Sequence, residues 1–192
     1  MKPVDKITAP DERQTLVVGT LLDLHAGLAE IRLHPSVPDN VRDLFDTALN
    51  LSLYSWFVYD FHPVADLTGF LAMEAALRTR ASQDNETLAN KPLKTLMKHA
   101  IAAGWLAEDR ITGRRELARA RVQHRKSIQA IEAEASTMTI IQSMCIAAVD
   151  LRNALAHGER MLVPDSYQRL RTTADLIHQL FPPPWAVPRR RL

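Results

Sequence analysis

One stretch near the end of the chain, Thr137 to Gly158 (TMTIIQSMCIAAVDLRNALAHG), most constrains the fold. It holds no charged residue before Asp150. An uncharged, largely apolar run of this length predicts a helix buried on most sides. Asp150, Arg152, Asn153 and His157 then follow in close succession, and Gly158 comes next. Burying ionisable groups costs free energy unless they are paired or used. These four polar residues are therefore the first candidates for function.

Helix geometry places them relative to one another. At 100° and 1.5 Å per residue, Asn153 and His157 share a face, so the amide can orient the imidazole. Arg152 lies about 100° from Asn153 and about 140° from His157 around the axis, and roughly 7.5 Å from His157 along it. The helix end is thus a wedge, with Arg on one edge and Asn and His on the other. Glycine favours the position just past a helix end, so His157 is expected to close the last turn. The negative end of the helix dipole favours imidazolium there, and a side chain of that kind gives or takes a proton.

Composition narrows the class. A chain of 192 residues is one domain, or one domain with an extension, and can bury a core without staples. With 46% hydrophobic and 24% charged residues it reads as an ordinary globular protein. The single cysteine, Cys145, excludes a disulfide framework and suits a reducing compartment. It reads as a structural thiol rather than a nucleophile. Neither a signal peptide nor an apolar run of membrane-spanning length is present, so no membrane association and a cytoplasmic location are expected. Glycine-rich phosphate loops, Cys/His zinc spacings, H-E-x-x-H and G-x-S-x-G are missing; no cofactor and no metal are expected. A net charge of +2 does not argue for nucleic acid, but its distribution is uneven. Arg110 to Lys126 holds seven Lys or Arg against one acid, Glu116.

The remaining pattern is helical throughout and predicts an all-α antiparallel bundle. Residues 1–10 read as disordered, and 11–33 as a helix packed on the bundle, with Gly19 and Gly27 weakening it. Together 1–38 form an N-terminal extension, 39–181 the bundle of four to five core helices, and 182–192 a flexible Pro/Arg-rich tail. Asp39 or Asn40 is expected to cap a helix over 40–60 whose inner side is Leu44, Ala48, Leu51, Ser55 and Val58. Five of eleven aromatics (Tyr54, Trp56, Phe57, Tyr59, Phe61) crowd its end; they fill core, or in part an oligomer interface. A second helix over 63–82 carries Glu74, which either pairs locally with Arg78 or reaches Arg152. Residues 82–91 read as a mobile connector, and 92–103 as a short helix ending at Gly104, with Trp105 on the turn. Over 113–133 an inner stripe (Leu117, Ala120, His124, Ile128, Ile131) opposes Arg114, Arg115, Arg119, Arg121, Arg125 and Lys126. That arc is a solvated face or a phosphate-tracking surface. Ser136 or Thr137 is expected to cap the Thr137–Gly158 helix, and Asp165 a last helix over 166–181.

Arg152-Asn153-x-x-x-His157 fits the R-x(4–6)-H signature of the HEPN superfamily, with its polar residue directly after the Arg. FLAMEAALR at 70–78 resembles that family's F-x-x-x-E-x-A-L-R helix, and LKTLMKHAIAAGWL at 93–106 is similar to the helix and turn that follow it. The resemblance covers roughly residues 40–181. It implies a helical bundle that dimerises, often with metal-independent endoribonuclease activity of the toxin or phage-defence type. Arg152 and His157 would then be catalytic, with Asn153 assisting and Glu74 and Asp150 in support. RNA, a second copy and an antitoxin protein are the implied partners. Many members of the family are catalytically silent and bind nucleotides or proteins instead, so a binding or dimerisation module is the alternative.

Overall fold

The computed structural model describes residues 1–14, 19–112, 139–159 and 166–183. Among them it contains helices and turns and no strand. The helices are α1 (Leu21–Ala29), α2 (Asp39–Tyr54), α3 (Phe61–Asp84), α4 (Glu86–Ala89), α5 (Leu93–Ala102), α6 (Ile140–Ala156) and α7 (Tyr167–Leu180). They pack as a helical bundle, as the sequence pattern predicts. None of the described helices is long and apolar enough to cross a membrane. The basic helix expected over 113–133, the break at Val163-Pro164, the Asp165 cap and the tail beyond residue 183 lie outside the described residues.

Helix α3 is the axis of the bundle. It packs against α2, α5, α6 and α7 and buries Phe70, Met73, Ala76 and Leu77 among them. Pro63 sits in its first turn, where a missing N–H costs nothing. A Cβ on Gly69 would stand 2.7 Å from Leu170 Cδ2, so glycine is what lets α7 lie this close to α3.

Several boundaries and faces differ from expectation. Helix α1 starts at Leu21 because the Thr20 hydroxyl caps it, accepting from the Asp23 N–H at 3.1 Å. Leu24, Leu28 and Ile31 join the same core as the bundle, so this segment is built into it. Past residues 1–10 the chain is tied to the bundle by Asp11 and Arg13. The Asp11 N–H donates to the Trp56 carbonyl at 2.8 Å, and the Tyr59 N–H donates to the Asp11 carboxylate at 3.1 Å. Arg13 binds that carboxylate and lies 4.6 Å over the Tyr59 ring; its hydrogen bond holds the Asp11 carboxyl far below the usual carboxylate range.

Helix α2 has no side-chain cap, and Pro38 precedes it. Its buried stripe is Val41, Phe45, Ala48 and Ser52; Ala48 and the following Ser55 are buried as expected, while Phe45 and Ser52 take the inner places expected of Leu44 and Leu51. The expected mobile connector contains α4, capped by Asn85, whose side chain accepts from the Thr87 N–H at 2.9 Å. Helix α5 ends as expected, with Gly104 at φ +71°. Trp105 packs edge-on to His99 and under the Arg80 guanidinium.

Candidate functional site

Helix α6 is fixed at both ends by local chemistry. Its N-terminus carries a reciprocal capping box: the Thr139 hydroxyl accepts from the Gln142 N–H, and the Gln142 side chain accepts from the Thr139 N–H, both at 3.1 Å. Thr139, not Ser136 or Thr137, is therefore the cap. A further N–H of this first turn, that of Ile141, donates to Glu108 Oε1 at 2.7 Å. At the other end the Glu159 N–H reaches the Ala154 carbonyl at 2.9 Å and the Gly158 N–H the Leu155 carbonyl at 3.1 Å. This is the double closure of a helix ending in a left-handed glycine, and Gly158 has φ +73°. His157 is the capping residue, as the sequence predicts.

One face of α6 is buried: Ile140, Ile141, Met144, Cys145, Ala148, Leu151 and Ala154, against α3 and α5. Among the described residues no helix packs on the opposite face, where the sequence leads one to expect burial on most sides. Ile146 is 50% and Val149 44% exposed.

Asp150, Arg152, Asn153 and His157 are all exposed. Among the described residues none of their side chains makes a hydrogen bond or ion pair, so no amide-to-imidazole bond orients His157. The wedge expected from helix geometry is thus displayed to solvent with its donors uncommitted. Glu74 takes the local option. Its carboxylate accepts from Arg78 Nε at 3.1 Å and Nη2 at 2.5 Å, and Arg78 Nη1 donates to the Ala89 carbonyl at 2.5 Å. It fastens α3 to α4. Arg114, Arg115, Arg119, Arg121, Arg125 and Lys126 lie outside the described residues.

Alongside the wedge, α5 and α6 enclose a groove of about 410 Å³. Lys94, Met97, Lys98 and Ile101 line one side, and Ile141, Cys145, Ile146, Val149 and Asp150 the other. Burial pushes the Cys145 thiol up, with Lys94 opposing weakly. That disfavours thiolate and suits the structural reading.

A second polar cluster was not legible as such. His62, 1% exposed, sits where α2, α3 and the start of α7 meet. The Ser55 hydroxyl donates to the Ser52 carbonyl at 2.6 Å, so it accepts from His62 Nε2 at 3.1 Å. Nε2 also faces Gln14 Oε1 at 3.0 Å. His62 Nδ1 then accepts from the Ser166 hydroxyl at 2.9 Å, which in turn lies 2.6 Å from the Ser52 hydroxyl. One neutral tautomer, protonated on Nε2, satisfies the set. One turn on, Asp66 is buried and accepts from Arg169 Nε at 2.5 Å. The signals were His62 and Asp66 four apart, and Ser52 and Ser55 three apart.

Among the described residues no group of three or more His, Cys, Asp or Glu is placed to hold a metal ion. Comparison of the chain with protein-family models, with curated proteins and with solved structures finds no match. The described architecture is an all-helical bundle that displays an R-x(4)-H helix end to solvent.

Proposed function

We propose that this chain is a HEPN-like helical domain that cleaves RNA without a metal ion, as a homodimer of the toxin or phage-defence type. The observation that carries the reading is the uncommitted state of Arg152, Asn153 and His157 on one exposed helix end. An inert end would have Arg152 tied to Asp150 or Glu74; Glu74 is occupied by Arg78, and Arg152 stays open.

The chemistry follows from the groups. The RNA 2′-oxygen attacks the adjacent phosphorus as its proton passes to a neutral His157 imidazole. The O2′–P bond forms and the P–O5′ bond breaks. An imidazolium supplies the proton to the leaving 5′-oxygen. Arg152 matches the charge of the pentacoordinate phosphorane with paired N–H donors. The products are a 2′,3′-cyclic phosphate and a 5′-hydroxyl. A helix C-terminus repels anions, which one guanidinium offsets only in part. Two copies meeting across a two-fold axis supply two Arg152 and two His157, one imidazole as base and one imidazolium as acid. The basic stretch Arg114 to Lys126 is the candidate RNA contact, and an antitoxin protein a candidate partner.

The test is cleavage of end-labelled RNA by the purified chain in excess chelator. Cyclic-phosphate and 5′-hydroxyl ends, lost when the 2′-hydroxyl at the cut site is methylated, are expected. Products ending in 3′-hydroxyls, or activity abolished by chelation, contradict the mechanism. One observation favours the alternative of a silent binding module: nothing among the described side chains orients the His157 ring. Intact RNA from a soluble, folded dimer decides for that alternative.

A further inference from the structure

We propose that the groove between α5 and α6 is the docking site for an acidic amphipathic helix of a partner protein. This does not depend on whether the end of α6 cleaves RNA. The groove has an apolar floor, and its rims carry large aliphatic side chains in water: Ile101 is 40%, Ile146 50% and Val149 44% exposed. Contiguous exposed apolar surface of this kind marks interaction sites.

Shape and charge select the occupant. From Ile141 to Asp150 the α6 wall runs about 13 Å at the helix rise, the length along which a partner helix sets anchors at i, i+4 and i+7. Ile146 and Val149 line the groove and are also about half exposed, so the apolar surface reaches its rim. Lys94 and Lys98 stand one turn apart on the α5 rim, both exposed and without an acidic partner among the described residues. They face carboxylates spaced four apart on one flank of an incoming helix, the geometry in which opposite charges pair. Asp150 closes the far end of the other rim and calls for a single cation there. The chain's own basic stretch, 110–126, has the wrong sign for the lysine rim. A second copy offers one Asp150 against two lysines.

The probe is a fluorescein-labelled 18-residue helical peptide with leucines at i, i+4 and i+7 and glutamates four apart on one flank. Its control replaces those glutamates with lysines. In anisotropy titrations against the full chain the acidic peptide is expected to bind at least 10-fold more tightly than the control. Ile146→Asp should weaken it at least 10-fold, and the double variant Lys94→Glu, Lys98→Glu should reverse the preference. All three sites are exposed, and thermal melting checks that the variants stay folded; if Ile146→Asp does not, the lysine pair decides. Equal binding of both peptides, or an unchanged preference in the double variant, overturns the proposal. So does a dimer in sedimentation equilibrium that Ile146→Asp dissociates, which assigns the groove to a second copy. Displacement of the acidic peptide by a medium-chain fatty acid at micromolar concentration also overturns it.

Discussion

Two polar regions of this molecule share residue types and differ in what surrounds them. Around His62, in the interior, the hydroxyls of Ser52, Ser55 and Ser166, the Gln14 amide and the imidazole are matched donor to acceptor within 3.1 Å, beside the buried Asp66 and its half-buried partner Arg169. At the end of α6, Arg152, Asn153 and His157 face water and bind nothing among the described residues. A buried polar group left unpaired costs about 1–3 kcal/mol, so the serines, amide and imidazole of this cluster are held with partners, and their role is structural. Exposed groups carry no such penalty. Grouped by a rigid, doubly capped helix, they are free to meet a ligand.

Changes inside the cluster should cost stability and leave the α6 end folded or unfolded only with the whole. Arg169→Ala removes the guanidinium from a carboxylate that is 1% exposed; a loss of about 3–5 kcal/mol is expected in urea titration. His62→Ala opens a cavity and strands Ser166 and Gln14, for about 2–4 kcal/mol. A loss below about 1 kcal/mol in either case breaks the contrast. At the other region the vulnerable point is backbone geometry. A Cβ on Gly158 meets nothing within 4 Å, so Gly158→Ala costs only the left-handed strain, about 1–2 kcal/mol.

The smallest expected effect concerns pH. His34 and His178 stack with ring centroids 4.7 Å apart, and burial lowers the pKa of both; for His178 the neighbouring His34 adds to this, while Asp175 and the Arg32 backbone oppose it. In the window between the lowered folded pKa values and the ordinary value near 6.5, the unfolded chain binds more protons. The stabilisation is therefore fully present above about pH 6.5 and is lost as pH falls below it. Melting at pH 7.5 and 5.5 should show the drop, and His178→Gln should reduce it. A drop unchanged by that substitution assigns the acid sensitivity elsewhere.

Helix ends were legible where one residue decides them. Gly158, Gly104 and Pro92 stop or start helices by backbone restriction alone, and those boundaries stand close to where the sequence puts them. Faces were harder. Ser55 and Ala48 were placed correctly on the inner side of α2, but Leu51 was preferred to Ser52 because a serine looks like a surface residue, yet Ser52 is buried by bonding to Ser166. Apolar content alone could not reveal which side of α6 turns away from α3 and α5, since Ile146 and Val149 read the same buried or exposed. Thr20 cut the first helix short through a cap that competes with helix continuation. The R-x(4)-H wedge was visible in spacing; its freedom from partners was not.

The central claim is that the end of α6 is kept for a ligand and not for the fold. It is tested most directly by measuring melting temperature and RNA cleavage together for the wild type, Arg152→Ala and His157→Ala. The expected result is stability within about 0.5 kcal/mol of the wild type, as for exposed unpaired positions, with cleavage reduced by about 10²–10⁴-fold. Variants that melt well below the wild type, or that cleave RNA as fast, would contradict it.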